Sequence, residues 1–142
     1  MTTYVYTDGV WDLFHVSHIE FLKGIRKDVE TQGFSNIKLV VGIISDKDVA
    51  SYKRVPFLNE SQRRRMVEAC KYVDIVVPNS PLIVTPELLD KYHISYVYHG
   101  NDSKQEEFFQ HAIRRGIMRY IPYDKEISTT KLIEKVQARK KK

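Results

Sequence analysis

Thiol chemistry is almost missing from this chain: one of its 142 residues is cysteine, Cys70. A single thiol closes no internal disulfide and builds no Cys-rich zinc site, so a reducing compartment is tolerated. Long apolar runs are missing too. No stretch approaches the ~20 residues that span a bilayer. Met1-Thr-Thr-Tyr4 has neither the basic nor the apolar region of a signal peptide. These absences predict a cytoplasmic protein without a transmembrane segment. The phosphate-loop pattern GxxxxGK[ST], the dinucleotide pattern GxGxxG and the zinc pattern HExxH are all absent. No repeat, linker or low-complexity segment interrupts the sequence, so residues 1–142 read as one domain with one core.

What is present is an ordinary globular balance, 42% hydrophobic and 29% charged. The net charge of +5 suits an anionic ligand such as a nucleotide. Part of that surplus is Arg139-Lys-Lys-Lys142, which reads as a solvated helix end with at most weak contact to an anionic membrane surface.

Along the chain, Tyr4 to Thr7 favours a strand, Asp8-Gly9 breaks it, and from Phe14 onward Ile19, Leu22, Ile25 and Val29 recur at helical spacing. Ile37 to Ile44 is nearly continuous apolar sequence, as expected of a strand buried on both faces of a parallel sheet. Ser45 to Leu58 reads as a polar loop. Asn59 with Gln62 forms a capping-box pattern before a helix running to about Lys71. Val73 to Val77 predicts a strand stopped by Pro78, and Thr85-Pro86-Glu87 a helix start. Tyr96 to His99 predicts a strand, Gln105 to Arg115 a helix ending at Gly116, and Arg119 to Pro122 the last strand. Ser128 or Thr129 then caps a final helix. This alternation predicts an α/β fold, a Rossmann-like doubly wound parallel sheet of about five strands with helices on both faces.

His15 and His18 are three apart, which puts both imidazoles on one side of a first helical turn, beside free N–H groups and the positive helix end. On spacing alone the pair reads as a phosphate site, or equally as histidines with no ligand. No metal held by protein side chains is expected. His15 and His18, Ser45-Asp46, Lys53, His99 to Asp102 and Ser128 to Thr130 all follow the C-terminal ends of predicted strands. Ligands bind at that edge of open α/β sheets.

Asp8-Gly-Val-Trp-Asp-Leu-Phe-His-Val-Ser-His18 resembles the HxGH signature of the nucleotidyltransferase superfamily, and within it the cytidylyltransferases that make CDP-choline, CDP-ethanolamine or CDP-glycerol. Val41-Gly-Ile-Ile-Ser-Asp46, Lys53, Asn59-Glu-Ser-Gln-Arg63, Cys70-Lys-Tyr-Val-Asp74, Val77-Pro78, Thr85-Pro-Glu87, His99-Gly-Asn-Asp102 and Ile127-Ser-Thr-Thr130 extend the likeness, in order, over nearly the whole chain. The resemblance implies transfer of CMP from CTP, with Mg²⁺, to phosphoethanolamine or phosphocholine. Glycerol 3-phosphate as acceptor, or a weakened nucleotide-binding relative, is the alternative. Nucleic acid is not an expected partner.

It further implies that His15 and His18 donate to the α- and β-phosphates and that Lys53 reaches across the phosphates of both substrates. Asp8, Gly9, Val10, Trp11, Arg63, His99, Gly100, Asn101, Asp102, Ile127, Ser128, Thr129 and Thr130 are expected around the nucleotide. Asp12 and Tyr98 are expected, with Lys53, around the phospho-alcohol; Asp12 reads equally as a residue that orients its loop. Lys71-Tyr-Val-Asp74 matches a segment that implies a homodimer interface. Three positions depart from the family pattern. The third HxGH residue is Ser17. Tyr123 replaces the arginine expected to grip the triphosphate, with Arg119 or Lys125 as substitutes. Glu126 replaces a glycine.

Overall fold

A computed structural model describes residues 1–102, 105–123 and 127–140 of the chain. Lys125, Glu126, Ser103 and Lys104 lie outside the described residues, as do Lys141 and Lys142 of the basic tail.

Five strands, β1 (Thr3–Gly9), β2 (Ile37–Ile44), β3 (Ile75–Ser80), β4 (Ile94–Gly100) and β5 (Met118–Ile121), form one sheet in the order β3-β2-β1-β4-β5. Every pairing is parallel. Helices α1 (Val16–Thr31), α2 (Asp46–Tyr52), α3 (Glu60–Glu68), α4 (Pro86–Lys91), α5 (Gln110–Arg114) and α6 (Thr129–Lys140) connect or follow them. The architecture is the α/β Rossmann-like arrangement that the alternation predicts.

Strand periodicity of two divides the core between the two faces of the sheet. Val5, Leu39, Val41, Ile43 and Tyr98 meet Phe21, Leu22, Ile25 and Val29 of α1 and Val67 of α3. Tyr6, Val40, Val77 and Val97 meet Leu88 and Leu89 of α4 and Phe109 and Ala112 on the other side. Gly42 has no room for a side chain, because a Cβ there would collide with the Tyr6 hydroxyl and sit 2.8 Å from Ser80 Oγ.

Three local expectations need correction. Within the expected loop 45–58 lies α2. Ser45 Oγ accepts from Asp48 N–H at 3.2 Å, and Asp46 and Asp48 complement the helix dipole. Its one buried residue is Val49, so no apolar periodicity announces it. β3 continues through Pro78 to Ser80, which is tolerated because β3 is an edge strand and its proline needs no ladder partner. The expected helix 105–115 divides into a 3-10 turn, Glu106–Phe108, and α5. Phe109 sits at the junction with 2% exposure, turned into the core. Among the described residues, no helix is long and apolar enough to cross a membrane.

Candidate active site

β1 is the strand at which the order reverses: the chain leaves it for β2 on one side and returns later to β4 on the other. The C-terminal ends of β1 and β4 therefore splay their following loops apart and leave a crevice. A cleft of about 830 Å³ opens there. Its floor is residues 8–12 with His15 and His18. One wall carries Lys53, Arg54 and Pro56, and the other His99, Gly100 and Asp102. Tyr123 and Ser128 to Lys131 close the remaining side.

The histidines are held by a capping box. His15, the N-cap of α1, accepts from Ser17 N–H through Nδ1 at 3.2 Å; His18 Nδ1 accepts from His15 N–H at 3.1 Å. Each Nδ1 is thus an acceptor, so each neutral ring carries its proton on Nε2. The rings stack with centroids 3.8 Å apart, while Phe14 stacks on His18 and the Trp11 edge meets it. Burial, then His15 and Lys53, pushes the His18 pKa down to about 3, and burial lowers that of His15. At neutral pH the pair is therefore two uncharged Nε2–H donors at fixed spacing.

The loop beneath them is strained and pinned. Trp11 and Leu13 have φ of 57° and 51°, a left-handed conformation that costs a non-glycine residue ~1–2 kcal/mol. Four contacts offset that cost. Trp11 Nε1 donates to the Gly42 carbonyl at 3.0 Å, and the Asp12 carboxylate accepts from the Phe57 and Leu58 N–H groups at 2.8 and 2.9 Å. Arg63 Nη1 donates to the Val10 carbonyl at 2.8 Å.

That arginine has no solvent exposure. Its remaining donors go to the Leu58 and Ile44 carbonyls and to Asp46 Oδ1. No part of Arg63 reaches the cleft; it ties three cleft-forming segments together from behind. Tyr98 also lies elsewhere than expected. It is buried beside α1, with its hydroxyl donating to Asp28 Oδ2 at 2.6 Å. Asn101 and Ile127 do not line the cleft: Asn101 N–H donates to the Ile121 carbonyl, and Ile127 N–H to Ser17 Oγ. The Thr129 hydroxyl, expected on a phosphate, donates to the Asp12 carbonyl at 2.9 Å. Asp12 itself orients its loop, since both carboxylate oxygens are occupied.

Lys53 ends α2, its N–H donating to the Val49 carbonyl at 2.8 Å. Its ammonium lies below the usual lysine range through burial and neighbouring Arg54, opposed by Asp102. Gly100 leaves little room for a side chain: a Cβ there would lie 2.5 Å from Asp102 Oδ1, which would have to move, and 3.1 Å from Tyr123 Cβ. Asp8 is the site's most demanding group. It is buried, its Oδ2 has no hydrogen-bond partner, and burial pushes its pKa up to about 7.

Of the proposed replacements for the missing arginine, Arg119 stacks on the Tyr96 ring at 4.7 Å and is not on the cleft. Sequence reasoning missed Arg54, Gln105, Lys131 and Glu134 as lining residues. Lys131 and Glu134 are separated by three on α6 beyond Ser128-Thr-Thr130, a periodicity that places both on the face of the hydroxyl run. Gln105 carried no sequence signal.

An open parallel sheet with a phosphate-donor cleft at its switch point defines a nucleotide-binding α/β domain. The fold matches that of a lipopolysaccharide core biosynthesis protein from Thermoplasma volcanium with a TM-score of 0.66 at 22% identity, covering 88% of this chain and 98% of that one. Residues 6–135 match the cytidylyltransferase-like family model, and the chain belongs to that family. It is 41% identical over 97 residues to choline-phosphate cytidylyltransferase of Saccharomyces cerevisiae, covering 68% of this chain and 22% of that protein. It is 32% identical over 136 residues to choline-phosphate cytidylyltransferase A of Homo sapiens, covering 93% of this chain and 36% of the relative. It is 32% identical over 133 residues to ethanolamine-phosphate cytidylyltransferase of Dictyostelium discoideum, covering 91% and 35%. The chain thus spans 22% to 36% of the length of these relatives.

Proposed function

We propose that the chain transfers CMP from CTP to a phospho-alcohol with a cationic head, phosphoethanolamine first and phosphocholine second, in the cytoplasmic synthesis of phospholipid head groups. The observation that carries this reading is Asp8, a buried carboxylate with an unpartnered oxygen that lines the same cleft as two neutral N–H donors. A buried carboxylate oxygen without a partner is costly, and an ammonium within reach relieves that cost. A primary ammonium also donates the hydrogen bond that Oδ2 lacks; a quaternary one supplies charge alone, and glycerol 3-phosphate supplies neither.

In the reaction an oxygen of the acceptor's phosphate forms a bond to the α-phosphorus of CTP. The bond from that phosphorus to the bridging oxygen breaks, and pyrophosphate leaves with the electron pair. The incoming phosphate is already a nucleophile, so the residues position and stabilise rather than abstract a proton. His15 and His18 present their Nε2–H groups to the α- and β-phosphates, preorganised by the capping box. Lys53 spans the two substrates' phosphates.

Mg²⁺ accompanies CTP in this scheme. Asp102 and Glu134 are the cleft carboxylates that would help to hold such an ion on the phosphate oxygens. When bound, it neutralises charge on the departing pyrophosphate.

One observation favours a second reading, a nucleotide-binding relative with little turnover. At the arginine position Tyr123 offers a neutral phenol, whose pKa burial and Asp102 raise to about 12. Pyrophosphate release, measured for CTP, ATP and GTP against phosphoethanolamine, phosphocholine and glycerol 3-phosphate, separates the readings. Turnover only with CTP and a cationic acceptor is expected. CTP binding without release favours the second reading, and turnover restricted to glycerol 3-phosphate refutes the role of Asp8.

A further inference from the structure

We infer that Lys131 is the cation that grips the outer phosphates of the nucleotide, and that Ser17 is the positioning residue that presents it. This inference rests on the cytidylyltransferase reading above. A nucleoside triphosphate with its α-phosphate on the histidines needs positive charge for its β- and γ-phosphates. Among the described residues, the lysine and arginine side chains lining the cleft are Lys53, Arg54 and Lys131. The first two share one wall at the end of α2. Lys131 stands on a different wall, beside Tyr123, where the side chain is a neutral phenol packed against Phe21 with ring centroids 5.2 Å apart. A triphosphate bound between the walls therefore meets charge from both.

Lys131 lies in the first turn of α6, which contains no acidic residue, at the positive end of that helix. An anion in the cleft is attracted both to that charge and to the helix N-terminus. Glu134, one turn further along α6, also lines the cleft.

Two long-range bonds set the position of this wall. Ile127 N–H donates to Ser17 Oγ at 3.1 Å, and the Thr129 hydroxyl donates to the Asp12 carbonyl at 2.9 Å. Ser17 is 2% exposed and stands between the two histidines in sequence. The same helical turn that presents the phosphate donors thus anchors the segment leading to Lys131. Glycine, the residue of the family pattern at this position, has no hydroxyl to make that bond.

The test is calorimetric titration of CTP, CDP and CMP, with Mg²⁺, into the full chain and its variants. Lys131→Gln is expected to weaken CTP about tenfold, CDP less, and CMP within about twofold, because CMP lacks the outer phosphates; Lys131→Arg restores CTP binding. Ser17→Ala is expected to weaken CTP about threefold, again more than CMP, and to speed hydrogen exchange at the Ile127 amide. Equal losses for CTP and CMP, or no loss in Lys131→Gln while wild type binds CTP, overturn the assignment alone. A wild-type chain that binds no CTP overturns the functional reading and this assignment together.

Discussion

Replacing Asp8 with asparagine keeps the shape of the side chain and removes its titration. In the folded chain the carboxyl has a pKa of about 7 against 3.8 for an unburdened aspartate, because burial penalises the charged form. The folded state therefore holds this proton more tightly than the unfolded one. The stability it supports is fully present below about pH 4 and is lost as pH rises through about 7. Three units at 1.36 kcal/mol each set an upper bound near 4 kcal/mol, and water entry around the ionised group reduces it to on the order of 3 kcal/mol. The His18 pKa, pushed down to about 3, acts in the opposite sense, with stability lost as pH falls from about 6.5. The raw pH profile of the wild type mixes the two. The difference between Asp8→Asn and wild type isolates Asp8. Urea denaturation at pH 4, 6 and 8 should show the variant gaining on wild type by on the order of 3 kcal/mol across that range. With phosphoethanolamine as acceptor, the wild-type KM should fall as pH rises through about 7, and the variant should lose that dependence, with a KM raised at least about tenfold. Parallel stability profiles together with an unchanged KM refute the reasoning, since both follow from one buried carboxylate with an unpartnered oxygen.

Three further outcomes are expected. His15→Ala and His18→Ala should each reduce turnover by ~10²-fold or more, the typical worth of one preorganised donor; near-normal rates in both remove the pair from the reaction. Arg63→Met should destabilise the fold by about 3–5 kcal/mol, because it strands the carbonyls of Val10, Ile44 and Leu58 and unpairs Asp46; Arg63→Lys should recover part of this, and a loss below about 1 kcal/mol in chemical denaturation contradicts the tether. The chain should sediment as a symmetric dimer at micromolar concentration, the commonest closed assembly. We propose that Lys71, Tyr72 and Val73 contribute to that contact. Within its own protomer Asp74 is held by Arg26 at 2.6 Å and by the Leu39 N–H; a monomer mass refutes the proposal.

Signals carried within a few residues were legible in the chain itself. The apolar run at Ile37–Ile44, the capping box at Asn59 and Gln62 and the Thr85-Pro86 helix start each encode a local backbone preference, and each forms as expected. Alternating strands and helices then leave few topologies, so the parallel sheet and its ligand-binding edge follow from pattern alone. The histidine pair was visible for the same reason, since three residues on a helix are always neighbours. Which partner a polar group finds across the fold was not legible. Trp11 reaches Gly42 over 31 residues, Arg63 reaches Val10 over 53, and Thr129 reaches Asp12 over 117. Those distances in sequence close only when the crossovers stack the loops above β1. In sequence Arg63 reads as both a structural and a nucleotide-site residue and Tyr98 as a substrate contact; both are buried supports in the fold, because a charged or phenolic side chain looks the same whether it faces a cleft or a core. Asp8 shows the converse. An aspartate near the end of a strand carries no sign of burial in sequence, and only the packing around it leaves Oδ2 buried without a hydrogen-bond partner.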